Sequence, residues 1–103
     1  MALKSDKFSS TAVLDRTDIK PPSDYKVILF NDDYTTKEFV VSVLVKVFHK
    51  NVEDAIFIME SVHKSGKGIA GIYPYDIAET RREMTLRMAR QEGYPLKCEL
   101  EEC

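Results

Sequence analysis

Hydrophobic and polar positions along the chain fall into blocks of different period. Tyr25 to Phe30 (YKVILF) is a β-branched and aromatic run that halts at the turn-forming Asn31-Asp32-Asp33, which predicts a strand buried over much of its length. A helical stripe follows at Phe39, Val40, Val43, Leu44, Val47 and Phe48. Thr35, with Glu38 three residues later, has the spacing of a capping box at its start. The valines lower intrinsic helix propensity, but the three-to-four spacing and the capping signal agree, and together they outweigh that weak preference. Asn51 then reads as the cap of a second helix, with the stripe Val52, Ile56, Met59 and His63 and an end at Ser65-Gly66.

The segment Lys67 to Tyr73 is short and dotted with glycine, which suits a strand that another backbone approaches closely. Pro74 suits the first turn of a third helix with Ile77, Ala78, Met84, Thr85, Met88 and Ala89 inward, Glu79/Arg82 and Glu83/Arg87 paired outward, and Gly93 at its end. Leu96, Cys98 and Leu100 alternate with Lys97, Glu99 and Glu101, the period of a strand with one dry face. The order is β-α-α-β-α-β. It predicts an α+β fold, a three-stranded antiparallel sheet with three helices packed on one face.

Residues 1–22 lack clustered apolar positions, carry charges of alternating sign and close at Pro21-Pro22, so they read as a flexible N-terminal extension to a core domain at 23–103. With 103 residues, 44% of them hydrophobic, the chain suffices for one core and is too short for two. Fifteen Lys and Arg against seventeen Asp and Glu give a net charge of -2, which argues against nucleic acid as partner. No run approaches the roughly 18 apolar residues of a membrane span, and the start, MALKSDKFSS, lacks a secretory apolar run. A soluble cytoplasmic protein is the expectation. The two cysteines, Cys98 and Cys103, have no zinc spacing, and no cofactor motif occurs, since Gly66 to Gly71 lacks the GxxxxGK[ST] pattern of a phosphate loop.

Two places carry candidate chemistry. Asn31, Asp32 and Asp33 form an acceptor-rich turn with no cation beside it in sequence; turn formation alone accounts for such residues, yet the spot also favours a cationic ligand. His63 projects within about 20 degrees of Val52 on the second helix, where a histidine is ordinarily a core residue with a partnered ring nitrogen. If that helix packs beside the turn, its imidazole joins the amide and carboxylate over an apolar floor. Such a cluster suits an ammonium with a hydrophobic side chain attached, as at the free N-terminus of a peptide. A small metal-dependent hydrolase using Asp32, Asp33 and His63 is an alternative, although HExxH is absent and the nearest other histidine, His49, is expected on the first helix. An RNA-binding patch of Lys67, Arg81, Arg82, Arg87 and Arg90 is a third, against a solvated face of paired charges.

The segments Pro21-Pro22-Ser23, Tyr25-Lys26-Val27-Ile28-Leu29, Asn31-Asp32-Asp33-Tyr34-Thr35, Glu38-Phe39-Val40, Val62-His63, Gly66-Lys67, Ala78-Glu79-Thr80 and Pro95-Leu96 closely resemble ClpS, the bacterial N-end-rule adaptor family of the ClpAP protease. The resemblance spans about residues 21 to 101. It implies a non-enzymatic adaptor without cofactor that binds N-degron substrates beginning with Leu, Phe, Tyr or Trp and delivers them to the ClpA unfoldase or a ClpC-type relative. It further implies that Asn31 and His63 hold the α-amino group, with Asp32 assisting partly through water. Thr35, Val40, Met59, Val62 and Leu96 match positions around the side-chain pocket, and Asp76 and Arg81 match the unfoldase-facing surface. The N-terminal extension corresponds to the segment that the family needs for delivery. Thr36-Lys37 stands where well-known relatives carry Pro-Met, a rim methionine linked to exclusion of β-branched N-terminal side chains. A lysine stem can lie over the pocket with its ammonium in water, which leaves the preference among Leu, Phe, Tyr, Trp, Ile and Val open.

Overall fold

The structure is a computed structural model that describes residues 21–103, so most of the extension expected at 1–22 lies outside the described residues. Its elements are β1 (Asp24–Phe30), α1 (Lys37–Lys46), α2 (Val52–Ser65), β2 (Lys67–Pro74), α3 (Tyr75–Glu92) and β3 (Lys97–Glu102). β1 is the central strand of an antiparallel sheet ordered β2-β1-β3. That position explains why Val27, Ile28 and Leu29 are buried in succession: Val27 and Leu29 enter the main core, while Ile28 is covered on the opposite face. A bulge at Ala70 shifts the register, so that Val27 faces Gly71 but Ile28 faces Ile69.

All three helices feed one core with Val27 and Leu29: Val40, Val43 and Leu44 from α1, Ala55, Met59 and Val62 from α2, Ala78 and Ala89 from α3. α2 lies at the β2 side of the sheet, close enough that a Cβ on Gly68 would sit 2.9 Å from Val62 Cγ2. Its predicted stripe is turned by one position. Val52 and Ile56 are 59% and 44% exposed, and the buried line runs through Ala55, Met59 and Val62. The small Ala55 is fully buried in the shared core, and the larger Val52 and Ile56 lie outward.

The start of α1 also departs from the capping-box reading. Thr36, not Thr35, caps the helix, its Oγ1 accepting from Phe39 N–H at 3.1 Å. The Thr35 hydroxyl is already donated to Asp32, and with Thr36 as cap the reciprocal position falls on Phe39, which has no side-chain acceptor. Asn51 and Gly66 end α2 as read from the sequence, Gly66 at φ 93. Pro74 closes β2 and is the N-cap of α3 rather than part of its first turn. On α3, Ile77 is 44% exposed, and Glu83 pairs with Arg82 at 3.3 Å rather than with Arg87. Arg82 also lies 3.6 Å from Glu79 and donates through Nε to the Cys98 carbonyl at 2.9 Å, tying α3 to β3.

Candidate functional site

The site forms where β1 runs out beside the end of α2. Antiparallel pairing carries Phe30 opposite Lys67, and one step further the Asn31 N–H donates to the Gly66 carbonyl at 2.9 Å. Gly66, in the left-handed conformation, turns the chain out of α2, so the last turn of that helix, with His63, is anchored beside the Asn31 turn. The one-position rotation of α2 puts His63 at the exposed margin of the buried face, next to Val62 rather than within the core.

Asp32 organises the following loop. Its Oδ1 accepts from the N–H groups of Tyr34 and Thr35 at 2.8 and 2.7 Å, and its Oδ2 accepts from the Thr35 hydroxyl at 2.8 Å. Partial burial alone pushes the Asp32 carboxyl up, but the bonds from Thr35 and Tyr34 outweigh it and hold the group below the usual carboxylate range. Oδ1 is filled by two donors, whereas Oδ2 keeps one acceptor direction free.

A hollow of about 450 Å³ opens between this loop, the start of α1 and the last turns of α2. Val40, Met59 and Val62 form its apolar floor, and Asn31, Asp32, Thr35, Lys37 and His63 stand around it. Eight of the nine residues matched to the α-amino and side-chain sites therefore meet at one place. Leu96 does not line the hollow; it is 5% exposed in the core cluster shared with Val40, Met59 and Val62, behind the floor. Asp33, Tyr34, Thr36 and Glu38 line it as well. Of these, Tyr34 is 75% exposed and was legible only as a neighbour of the signature turn. Asp32, Asp33 and Glu38 outnumber Lys37, so the mouth favours a cation, and the floor favours an apolar group attached to it.

The other readings find less support. No group of three potential metal ligands occurs among the described residues, so Asp32, Asp33 and His63 do not converge as a donor set. His49 lies beyond the end of α1 with φ 55, its Nε2 3.4 Å from Arg81 Nη1. Of the basic residues considered for RNA, Arg82 is engaged by Glu79, Glu83 and the Cys98 carbonyl, and Lys67 stands on a different element, at the start of β2. Asp76 is exposed in the first turn of α3. Arg81 is half-buried, its guanidinium 5.8 Å from the Tyr73 ring centre. No helix among the described residues is long and apolar enough to cross a membrane.

Residues 20–99 match the family described as ATP-dependent Clp protease adaptor protein ClpS. This chain belongs to the ClpS family. It is 49% identical over 102 residues to the ClpS adapter of Herminiimonas arsenicoxydans, covering 99% of each chain, and 44% identical over 103 residues to that of Wolinella succinogenes, covering both completely. Among solved structures it is similar to Agrobacterium tumefaciens ClpS2 bound to L-phenylalaninamide, with a TM-score of 0.78 and 35% identity, covering 81% of this chain and all of that one. ClpS proteins are non-catalytic adaptors of the Clp protease, and the hydrolase alternative is set aside on that ground.

Proposed function

We propose that this ClpS adaptor grips the free N-terminus of substrates that begin with Leu, Phe, Tyr or Trp and delivers them in the cytoplasm to a ClpA or ClpC-type unfoldase. Asn31 and His63 accept from the α-ammonium, and the free direction of Asp32 Oδ2 supplies a third acceptor or holds a bridging water. The first side chain descends onto Val40, Met59 and Val62, backed by Leu96, while Thr35 and the Lys37 stem border the mouth. Residues 23–103 are the substrate-binding core and 1–22 an extension that engages the unfoldase, which docks at Asp76 and Arg81.

The observation that carries this reading is the convergence of acceptors and apolar floor around one hollow of about 450 Å³. The Agrobacterium relative is solved with L-phenylalaninamide, a ligand that joins a free α-amine to an apolar side chain. A panel of peptides that differ only in their first residue tests it by fluorescence anisotropy. Leu, Phe, Tyr and Trp should bind at least about tenfold more tightly than Ala, Asp or Lys, a difference of about 1.4 kcal/mol. Equal binding across the panel contradicts the assignment.

A further inference from the structure

Arg81 is held by more than its own helix. The Tyr73 ring stacks on Phe48, with 6.3 Å between centroids, and lies against Gly71, where a Cβ would fall 2.6 Å from the Tyr73 hydroxyl. On that fixed ring sits the Arg81 guanidinium, 5.8 Å from its centre, with Nε buried and without a hydrogen-bond partner among the described residues. Nη1 lies 3.4 Å from Nε2 of His49. His49 is the one residue other than glycine with a positive φ among the described residues, at 55, a conformation that histidine enters more readily than most side chains but at a cost. The ring is exposed at the exit of α1, so burial does not repay that cost. What the conformation does achieve is to set the imidazole beside the guanidinium.

On the reading that Arg81 faces the unfoldase, on which this inference rests, we propose that His49 is a second contact there, ring and guanidinium together receiving one carboxylate of the unfoldase. Charge decides the kind of partner. Neither His49 nor Arg81 has an ion-pair partner among the described residues. Lys46 closes α1 and Lys50 follows His49, Tyr73 lies beneath the guanidinium, and Asp76, the acid in the first turn of α3, is not within ion-pair distance of either group. Cations therefore predominate around the pair, and a carboxylate is the complement they lack. With Nε buried, the two Nη nitrogens are the donors left for it. Arginine only donates, so the contact between Nη1 and Nε2 is a hydrogen bond only while the ring is neutral; protonation puts two cations side by side. A carboxylate seated against both favours the protonated ring, so docking takes up a proton and tightens as pH falls.

Affinity for purified ClpA or ClpC-type unfoldase, measured by biolayer interferometry at about pH 8 and about pH 6, tests the contact. The wild-type chain should bind about fivefold more tightly at the lower pH. Glycine accepts a φ of 55 without strain, so His49→Gly should melt near the wild-type temperature and bind a Phe-initiated peptide unchanged, yet lose most of the gain at pH 6. His63, the other histidine, is common to both chains, so the difference between their pH profiles reports His49. Asp76→Lys reports separately whether this surface docks at all. If Asp76→Lys weakens binding while His49→Gly keeps the wild-type pH profile, the docking surface stands and the His49 contact is overturned. Wild-type binding that is flat or weaker in acid overturns the contact as well. If neither variant alters binding, the docking reading itself falls, and the contact with it.

Discussion

At the scale of single residues, Asp32 does two jobs with one carboxylate: three donors from Tyr34 and Thr35 fix the loop, and one acceptor direction remains for a ligand. Asp32→Ala should therefore cost about 1–3 kcal/mol of stability at neutral pH and should weaken peptide binding as well. Because the folded carboxyl is held below its ordinary value, this stabilisation is complete above the unfolded carboxylate pKa and disappears as pH falls through the folded one. In thermal melts, the gap between wild type and Asp32→Ala should accordingly be constant near neutrality and close below about pH 4. A gap that widens in acid would contradict the hydrogen-bond account. Cys98 is the opposite case. Burial is the largest influence on its thiol and, with Glu99 and Glu79 opposing Arg82, pushes it up to about 12, so Cys98 stays neutral in the fold, and its contribution to stability is lost only as pH rises from about 9 toward that value. Iodoacetamide at pH 8 should add one label to the native chain, at exposed Cys103, and two after denaturation, read by intact mass.

At the scale of elements, the placement of α2 decides whether a site exists. Gly68 allows the helix to approach β2, and Val62, stiff at χ1 and 3% exposed, sits against it as part of the hollow's floor. Gly68→Ala should destabilise the fold by about 1–3 kcal/mol and weaken peptide binding, and Val62→Ala in the same chain should recover part of the stability, measured as a double-mutant cycle. Simple additivity would show that the two do not press on each other. The element order and most helix ends were legible because they rest on local chemistry: periodicity, Asn51, Gly66 and Gly93. The face of α2 was not, because a hydrophobicity pattern favours Val52 and Ile56 over Ala55, whereas close packing in the core selects the small residue. Thr35 and Thr36 exchanged roles for a related reason. Two adjacent threonines offer the same cap, and what distinguishes them is that Asp32, three residues before Thr35, takes the first hydroxyl. Of the candidate site, Asn31, Asp32 and His63 could be named from sequence, but their meeting depends on the Asn31 to Gly66 bond, which joins elements far apart in the chain.

At the scale of the whole molecule, β1 separates the two ends proposed for substrate binding and unfoldase docking. Its last residue leads into the Asn31 turn, and its first, Asp24, lies opposite Pro74, where α3 begins with Asp76 in its first turn. Seven residues of strand hold these ends about 20 Å apart, so the two proposed sites do not overlap. Asp76→Lys should weaken unfoldase binding about tenfold and leave peptide affinity unchanged, and His63→Ala should do the reverse, with stability within about 0.5 kcal/mol of wild type because His63 is exposed. Arg81 is a poorer probe, since its contacts with His49 and Tyr73 would be lost together with its charge. The account as a whole rests on a charged chain end meeting acceptors above an apolar floor, and acetylation of the α-amine removes that charge and most of its donors without altering the side chain. Binding of one Phe-initiated peptide, free and N-acetylated, is therefore the most direct measurement: the acetylated form should bind about tenfold to a hundredfold more weakly, as acceptors left unsatisfied cost about 1–3 kcal/mol. Equal affinities of the two forms would contradict it.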